Sequence, residues 1–117
     1  MITIWGGYIA AGDARVYLVV FDGEQIGGVE DGSNAQRTFY RVHDGRVVVH
    51  EVRRGRRRGG ITYDQSLVYV FDDLAQACTH LAVNPQHIDQ TCGEATLPDV
   101  DAPTLTLEEW ASGVGSY

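Results

Sequence analysis

Segments rich in β-branched and aromatic residues, separated by Gly and Asp, occupy most of the first 71 positions, as is typical of β-strands. Residues 2–10 form one such stretch and residues 61–71 form another. The chain between them carries the pairs Asp22-Gly23 and Asp44-Gly45, each between segments rich in β-branched and aromatic residues. An Asp-Gly pair in this position is a strong hairpin signal, because both central residues of a type I′ turn need a positive φ.

The two predicted hairpins imply definite cross-strand partners. Val19 is expected opposite Ile26 in the first, and Val42 opposite Val47 in the second. One side of the second hairpin, which includes Tyr40, is expected to face the core. Together with the two outer stretches, the hairpins predict about six antiparallel strands in a meander.

The apolar period becomes helical after residue 71, and Asp72 is the predicted N-cap. Apolar residues at helical spacing are expected to pack on the sheet: Leu74, Ala77, Cys78, Leu81 and Ala82. A second short helix is predicted at Asn84-Pro85, with Asn84 as N-cap and proline at the first position. Thr106 and Glu109 have the spacing of a capping box and predict one last helical turn.

These elements predict an α+β fold: an antiparallel β-meander of about six strands, a C-terminal helix packed on the sheet and a short second helix. The length of 117 residues and the apolar content of 44% fit a single domain. We assign residues 1–93 to this domain. Residues 94–117 are acidic and contain two prolines, so we expect an extended tail with a short helical turn, packed on the same domain.

Charge divides the chain into two parts. The formal net charge is −7, and all nine basic residues are arginine. Residues 1–58 hold nine Arg and seven acidic residues, a net +2, whereas residues 59–117 hold nine acidic residues and no Arg or Lys, a net −9. The overall negative charge disfavours nucleic acid as a partner for the surface as a whole.

Targeting and redox signals are few. Residues 1–14 lack the charged start and continuous apolar core of a secretory signal, and the longest apolar run, residues 16–21, is too short to span a bilayer. Cys78 and Cys92 fit neither a disulfide framework nor a zinc site, although a single disulfide between them stays open. We therefore expect a cytoplasmic protein without membrane association.

No pattern in the chain predicts catalysis or a cofactor. The sequence contains no GxGxxG, GxxxxGK[ST], HExxH or GxSxG motif. Asp72 and Asp73 resemble an acid-base pair, but helix capping already explains both. His43 and His50 stand too far apart along the predicted hairpin to share a metal ion. We expect no catalytic residue, no cofactor and no metal site, and keep an enzyme whose site is assembled only in the fold as a third hypothesis.

An arginine-rich stretch follows the second hairpin. Its basic residues are Arg53, Arg54, Arg56, Arg57 and Arg58. Three glycines and five like charges over residues 53–60 oppose packing in a central strand, so we expect an exposed loop. This loop is an anion-binding site for phosphate or RNA, a solvated hairpin tip, or a docking site for an acidic protein. We favour the hairpin tip, because no aromatic residue is interleaved with the arginines.

The acidic second half offers another candidate surface for a partner. Its residues are Asp89, Glu94, Asp99, Asp101, Glu108 and Glu109, with Trp110 among them. Carboxylates around an aromatic anchor suit a basic protein, because charge steers the encounter and the aromatic side chain supplies contact area. The alternative is a solubilising tail with Trp110 packed on the sheet, and the two descriptions are compatible.

Two stretches resemble a known class of protein. The hairpin RVHDGRVVV at residues 41–49 and the strand-to-helix junction VFDDLAQA at residues 70–77 resemble immunity proteins of bacterial polymorphic-toxin systems. The resemblance implies a cytoplasmic inhibitor that binds a cognate toxin domain and blocks its active site. It carries no binding residue across, so the candidate surface rests on charge and exposure.

The chain is therefore expected to be a non-enzymatic protein-binding inhibitor, most concretely a toxin-neutralising immunity or antitoxin-like protein. The acidic surface would imitate the phosphates that a nuclease toxin binds. The alternative is a nucleotide- or RNA-binding module that uses the loop at residues 53–58. An edge strand of either hairpin could also pair with a second copy of the chain, which would give a homodimer.

Overall fold

A computed structural model describes residues 1–31, 35–56, 62–90 and 97–113. Its strands and α-helices are, in chain order, β1 (Ile2–Ala10), β2 (Asp13–Phe21), β3 (Gly23–Asp31), β4 (Ala35–Val42), β5 (Val47–Arg56), β6 (Thr62–Phe71), α1 (Leu74–Leu81), β7 (Thr104–Thr106) and α2 (Leu107–Ala111). The strands form one sheet in the order β3-β4-β5-β6-β1-β2-β7. All neighbours are antiparallel except β2 and β7, which are parallel. The predicted α+β class is confirmed, but the six-stranded meander is wrong: the sheet does not follow chain order and gains β7 from the acidic tail.

The sheet curls because β2 and β3 are joined by one residue but do not pair. Phe21 ends β2 and Gly23 begins β3, yet four strands separate β2 from β3 in the sheet. In a flat sheet, the five interstrand spacings would put these strands about 24 Å apart. Two consecutive Cα–Cα steps span at most about 8 Å. The end of β2 and the start of β3 must therefore meet at a corner.

The hairpin predicted at Asp22-Gly23 is wrong. β2 pairs with β1, which places Val19 opposite Ile4, and β3 pairs with β4. The glycine serves another purpose, since a Cβ atom on Gly23 would lie 2.5 Å from the carbonyl oxygen of Arg41 on β4. The His43 N–H donates a 3.2 Å hydrogen bond to the Asp22 carbonyl and ties the corner to the end of β4.

The second predicted hairpin is present around Asp44-Gly45, but its register differs by one residue. Val47 lies opposite Arg41 instead of Val42. Gly45 has a φ of 97°, and the Val42 N–H donates to the Arg46 carbonyl, so the turn contains three residues. A three-residue turn with glycine in the left-handed region shifts the ladder by one position relative to a two-residue turn. Side chains expected on one side of β5 therefore lie on the other.

The exposed loop predicted from residue 53 is wrong for its first residues, which belong to β5: Arg53, Arg54 and Arg56. β5 is a central strand between β4 and β6, with Arg54 opposite Asp64 and Gly55 opposite Tyr63. The Tyr63 ring covers the glycine, because a Cβ atom on Gly55 would lie 2.5 Å from the ring. The composition argued against a strand because of its like charges and its glycines. The Asp64 carboxylate opposite Arg54 offsets the positive charge, and the Tyr63 ring covers the glycine.

α1 covers one end of the sheet, on the side termed the helix face. The buried cluster on this face consists of Phe39, Val47, Val49, Phe71, Ala77 and Cys78. The helix begins after Asp73, whose carboxylate accepts a 2.8 Å hydrogen bond from the Gln76 N–H; the predicted N-cap, Asp72, is one residue early. Asn84 caps a 3₁₀ turn at Pro85–His87, as predicted. No helix among the described residues has the length and apolar character needed to cross a membrane.

The opposite side of the sheet, termed the inner face, lines the curl. Its buried cluster consists of Ile4, Tyr17, Val19, Phe21, Tyr40, Val42, Val48, Val68 and Leu107. Leu107 comes from α2, which β7 places beside β2, where the Leu18 N–H donates to the Pro103 carbonyl at 2.8 Å. The capping box predicted for Thr106 and Glu109 is confirmed, with hydrogen bonds of 3.0 and 3.2 Å. The C-terminal segment is thus held on the sheet by both β7 and α2.

Leu107→Ala should lower the free energy of unfolding by about 2 to 5 kcal/mol, because its loss leaves a cavity beneath α2. Leu107 is 1% exposed, whereas Leu97 in the same segment is 44% exposed. Leu97→Ala is the matched control and should change the free energy by less than about 0.5 kcal/mol. Urea unfolding followed by circular dichroism measures both, and equal effects would contradict the placement of Leu107 in the core.

Candidate functional site

Most of the acidic candidate residues flank β7, at one edge of the sheet. Asp99 and Asp101 precede β7 and are exposed, and neither forms an ion pair within the described parts of the chain. Glu108 and Glu109 follow β7 at the start of α2. Glu108 lies 3.3 Å from Arg46, and Glu109 completes the capping box. The fold therefore brings these four carboxylates to the same edge.

The other members of the predicted acidic surface are placed differently. Trp110 is half buried and stacks on Tyr17 with ring centroids 4.9 Å apart, in accord with the alternative that it packs on the sheet. Asp89 is bonded through its backbone to Gly28 of β3, whereas β7 pairs with β2. Glu94 lies outside the described residues. We therefore restrict the candidate protein-binding surface to the β7 edge.

Exposed apolar side chains stand among these carboxylates. Leu97 is 44% exposed and Val100 is 37% exposed, and they are interleaved with Asp99 and Asp101. Residues 97–101, termed the acidic segment, form no helix or strand. A patch that combines exposed apolar side chains with charged neighbours is a feature of protein interaction sites.

Glu51 is a fully buried carboxylate in the central strand β5, on the helix face. Its exposure is 0%, and its Oε1 lies 2.7 Å from the Arg53 guanidinium and 3.3 Å from that of Arg37. A buried carboxylate is costly unless it is paired, and two guanidinium groups offset that cost. Arg53 is committed to this pair, which argues against the hypothesis that it grips a phosphate.

Hydrogen bonding around this ion pair is incomplete. Within the part of the chain that the structure describes, Oε2 of Glu51 and Nε of Arg37 have no hydrogen-bond partner. Tyr69 lies on the next strand, where burial and then the neighbouring Glu51 raise the pKa of its hydroxyl above the usual value. Both guanidinium groups of the cluster contact the same carboxylate oxygen, Oε1 of Glu51. Loss of the carboxylate therefore leaves the largely buried charge of Arg37 without its partner.

The fold does not gather the other arginines of the predicted loop around Arg53. Arg54 is its neighbour along β5 and therefore points to the opposite side of the sheet, where Asp64 lies opposite it. The side chain of Arg56 and all of Arg57 and Arg58 lie outside the described residues. The anion-binding hypothesis for residues 53–58 gains no support from the described arginines.

A chain of buried polar groups crosses the inner face. Ser66 Oγ lies 2.6 Å from both the Trp5 carbonyl oxygen and Nε2 of His50, and Ser66 and His50 are each 2% exposed. The serine hydroxyl has one proton and donates it to the Trp5 carbonyl, so Nε2 of His50 must donate to Ser66. Burial lowers the pKa of His50 to about 4, so at neutral pH the imidazole is neutral and its single proton is on Nε2. Because this nitrogen cannot accept the Ser66 proton, the pair is not arranged to activate Ser66 as a nucleophile.

A cleft opens where β1 leaves β6. The ladder between these strands has four residue pairs, from Gly7 opposite Ser66 to Ala10 opposite Tyr63, so the first half of β1 does not pair with β6. The cleft has a volume of about 360 Å³, which is within the range of small-molecule sites. Its walls include Tyr8, Arg15, Tyr17, Gln65, Ser66 and Trp110.

A second cleft, with a volume of about 570 Å³, lies at the corner between β2 and β3. Its walls include Asp22, Glu24, Arg41 and His43. Acidic and basic side chains are mixed around it, so its charge does not indicate a class of ligand. At the neighbouring turn, a hydrogen bond from the Arg46 side chain holds the pKa of the Asp44 carboxyl below its usual value.

Thiol and metal chemistry have little support in the described ranges. No three His, Cys, Asp or Glu side chains come together there as metal ligands. Cys78 is buried under α1, and burial raises the pKa of its thiol, so its reactive thiolate form is disfavoured. Cys92 lies outside the described residues, and with it the hypothesis of a Cys78–Cys92 disulfide.

Comparison with known proteins does not supply a function. No family model matches the chain, and no curated protein or solved structure matches it either.

Sequence reasoning missed the polar groups buried in β5 and the cleft beside β6. His50 and Glu51 interrupt an otherwise apolar run, residues 47–52, and this interruption is the signal that could have indicated buried charge. The cleft left no comparable signal, because Arg15, Gln65 and Trp110 come from three distant parts of the chain.

His50 should make the protein less stable on acidification. Burial lowers the pKa of its imidazole from 6.5 to about 4, and a hydrogen bond with the Trp5 carbonyl partly opposes the shift. Between pH 4 and pH 6.5, His50 therefore binds more protons in the unfolded chain than in the folded chain. The contribution of neutral His50 to the free energy of unfolding is fully present above pH 6.5 and is lost as the pH falls towards 4. Between about pH 7 and pH 4.5 the loss amounts to about 2 kcal/mol.

His50→Gln tests this effect, because glutamine keeps a donor for Ser66 and does not titrate. The variant should lose this part of the pH dependence when urea unfolding is measured over a series of pH values. His87→Gln removes an exposed histidine and should retain the dependence. If His50→Gln and the native chain lost stability equally on acidification, the buried neutral imidazole would be ruled out.

Glu51→Gln should lower the free energy of unfolding by about 3 kcal/mol, because it leaves the Arg37 side chain, 17% exposed, without its carboxylate. Glu108→Gln is a matched control: the Glu108–Arg46 pair has the same separation of 3.3 Å, but the Glu108 side chain is 75% exposed. An exposed pair contributes at most about 1 kcal/mol. Urea unfolding compares the two variants, and a Glu51 effect as small as that of Glu108 would contradict this account.

Proposed function

We propose that this protein is a non-enzymatic, cytoplasmic inhibitor that binds a cognate protein through the β7 edge and occludes the active site of that protein. The observation that carries the proposal is the acidic segment, in which exposed Leu97 and Val100 are interleaved with Asp99 and Asp101, whose carboxylates form no ion pair with the other described residues. Carboxylates alone would serve solubility. Apolar side chains held in solvent among them favour contact with another protein.

The surface has the two components that a specific encounter needs. Asp99, Asp101 and Glu108 supply negative charge at one edge, and charge of one sign steers a partner of opposite sign and raises its association rate. Leu97 and Val100 supply apolar area that contact with the partner would remove from water. The backbone beside them is held in place, because β7 is paired with β2 and α2 is anchored by Leu107.

The partner should be basic at the surface it presents. A toxin domain that cleaves nucleic acid fits this requirement, since its active site must bind phosphates with Arg or Lys. Carboxylates on the β7 edge would occupy the positions that the phosphates of the nucleic acid otherwise take in that active site. The choice of a toxin domain, and of the cytoplasm as the place of action, follows from the resemblance to immunity proteins at residues 41–49 and 70–77.

Neutralising the edge should weaken binding without disturbing the fold. The variant is Asp99→Asn, Asp101→Asn and Glu108→Gln together, and the control neutralises three acids elsewhere: Glu24→Gln, Glu30→Gln and Asp72→Asn. A partner is captured from a lysate of the native organism by cross-linking, identified and purified, and its association rate and activity are then measured. The edge variant should associate at least about tenfold more slowly at low salt, with a weaker salt dependence, whereas the control variant should match the native chain.

Support requires that the native chain and the control variant inhibit the activity of the captured protein and that the edge variant does so less. The proposal is abandoned if no protein is retained. It is likewise abandoned if the edge and control variants bind equally, or if binding leaves the partner's activity unchanged.

A further inference from the structure

The cleft between β1 and β6 is lined by side chains from three neighbouring strands, β6, β1 and β2. Gln65 of β6 is opposite Tyr8 of β1, and Tyr8 is opposite Arg15 of β2. Neighbouring strands are about 4.8 Å apart. An amide, a phenol and a guanidinium group therefore follow one another across these three strands at the cleft.

Aromatic rings form one side of the cleft. Trp110 stacks on Tyr17 with ring centroids 4.9 Å apart and an angle of 24° between the ring planes. Tyr17 in turn lies across the backbone of Gly6, where a Cβ atom would be 2.2 Å from its ring. Gly6 thus leaves room for Tyr17, and Tyr17 supports the half-buried Trp110. Stacked rings held in this way offer a fixed aromatic wall to a planar ligand.

The cation at the cleft is Arg15, and the carboxylate of Asp13 lies beside it, where it accepts a hydrogen bond from the Tyr8 hydroxyl. Arg15 is the one charged side chain among the described lining residues, and it lies 5.9 Å from the centroid of the Tyr8 ring. Its side chain is 70% exposed, and its contact with Asp13 is long, at 3.9 Å. The guanidinium group has five N–H donors, so it keeps most of them for a ligand.

Polar groups at the cleft are suited to the edge of a ring that carries both donors and acceptors. The exposed amide of Gln65 presents one acceptor and two donors. Ser66 is buried at the cleft, where it donates to Trp5 and accepts from His50, which leaves one lone pair on Oγ. Glutamine is a side chain that recognises adenine by two hydrogen bonds.

We propose that this cleft binds a purine nucleoside phosphate, with the base against the Trp110 wall, the base edge on Gln65 and the phosphate on Arg15. The aromatic wall, the amide and the single cation match the three chemical parts of this ligand, and the volume of about 360 Å³ is in the range of such sites. A free nucleotide and a nucleotide within a single strand share this chemistry. The site does not depend on the proposed inhibitor function, which uses carboxylates at the β7 edge and a ligand of opposite charge.

The test is isothermal titration calorimetry of the full chain with adenosine 5′-monophosphate, adenosine and inorganic phosphate. The monophosphate should bind one to one, and adenosine at least about tenfold more weakly, because a charge-assisted hydrogen bond is lost. Arg15→Gln should lower the affinity for the monophosphate to that for adenosine and leave adenosine binding unchanged. Arg54→Gln removes an exposed arginine of β5 that does not line the cleft, and it should leave both affinities unchanged.

Three results would overturn the proposal. The first is no binding of the monophosphate at millimolar concentration. The second is an equal effect of Arg15→Gln and Arg54→Gln. The third is phosphate binding as tight as that of the monophosphate, which would leave the aromatic wall without a role.

A short deoxyadenylate strand identifies the source of the ligand. Tighter binding of the strand than of the monophosphate, with a steeper salt dependence, supports a single-stranded nucleic acid. Equal affinity of the two supports a free nucleotide as the natural ligand.

Discussion

The shape of this protein depends on the single residue between β2 and β3. Asp22 joins two strands that have four other strands between them in the sheet, and so short a link can be satisfied only if the sheet curls until these two strands meet. The curl encloses the inner-face cluster. At the corner, the Phe21 ring packs edge-on against the Tyr40 ring, with ring centroids 5.6 Å apart. Gly23 is required there because the backbone of β4 passes too close for a Cβ atom.

The central strand β5 carries buried polar groups on both of its sides. His50 and Glu51 are adjacent in β5 and point to opposite faces, and each is buried. Each is made tolerable by its own partner: Ser66 on the inner face, and Arg37 with Arg53 on the helix face. Paired buried groups of this kind act on register as much as on stability, since a slip of one residue would place both groups without partners.

The C-terminal segment joins both proposed surfaces to the sheet. β7 extends the edge of β2, and α2 places Leu107 in the core and Trp110 on Tyr17, while Glu108 remains exposed. One short helix therefore contributes an aromatic wall to the cleft and a carboxylate to the outer edge. The two surfaces differ in the sign of their charge, so a cationic protein and an anionic small ligand would not compete for the same groups.

Local patterns in the sequence determined the class of the fold, most of its strands, the capping box at Thr106 and Glu109, and the cap at Asn84, because each depends on neighbours in the chain. Only the tertiary structure decided whether Asp22-Gly23 would make a hairpin or a corner, since both uses need the same glycine and differ in which distant strand lies beside it. The same holds for β5, where Asp64 and Tyr63 made a strand of residues that composition had assigned to a loop. The cleft was beyond local reasoning altogether, because β1, β2, β6 and α2 meet there only after the sheet has curled and the C-terminal segment has docked.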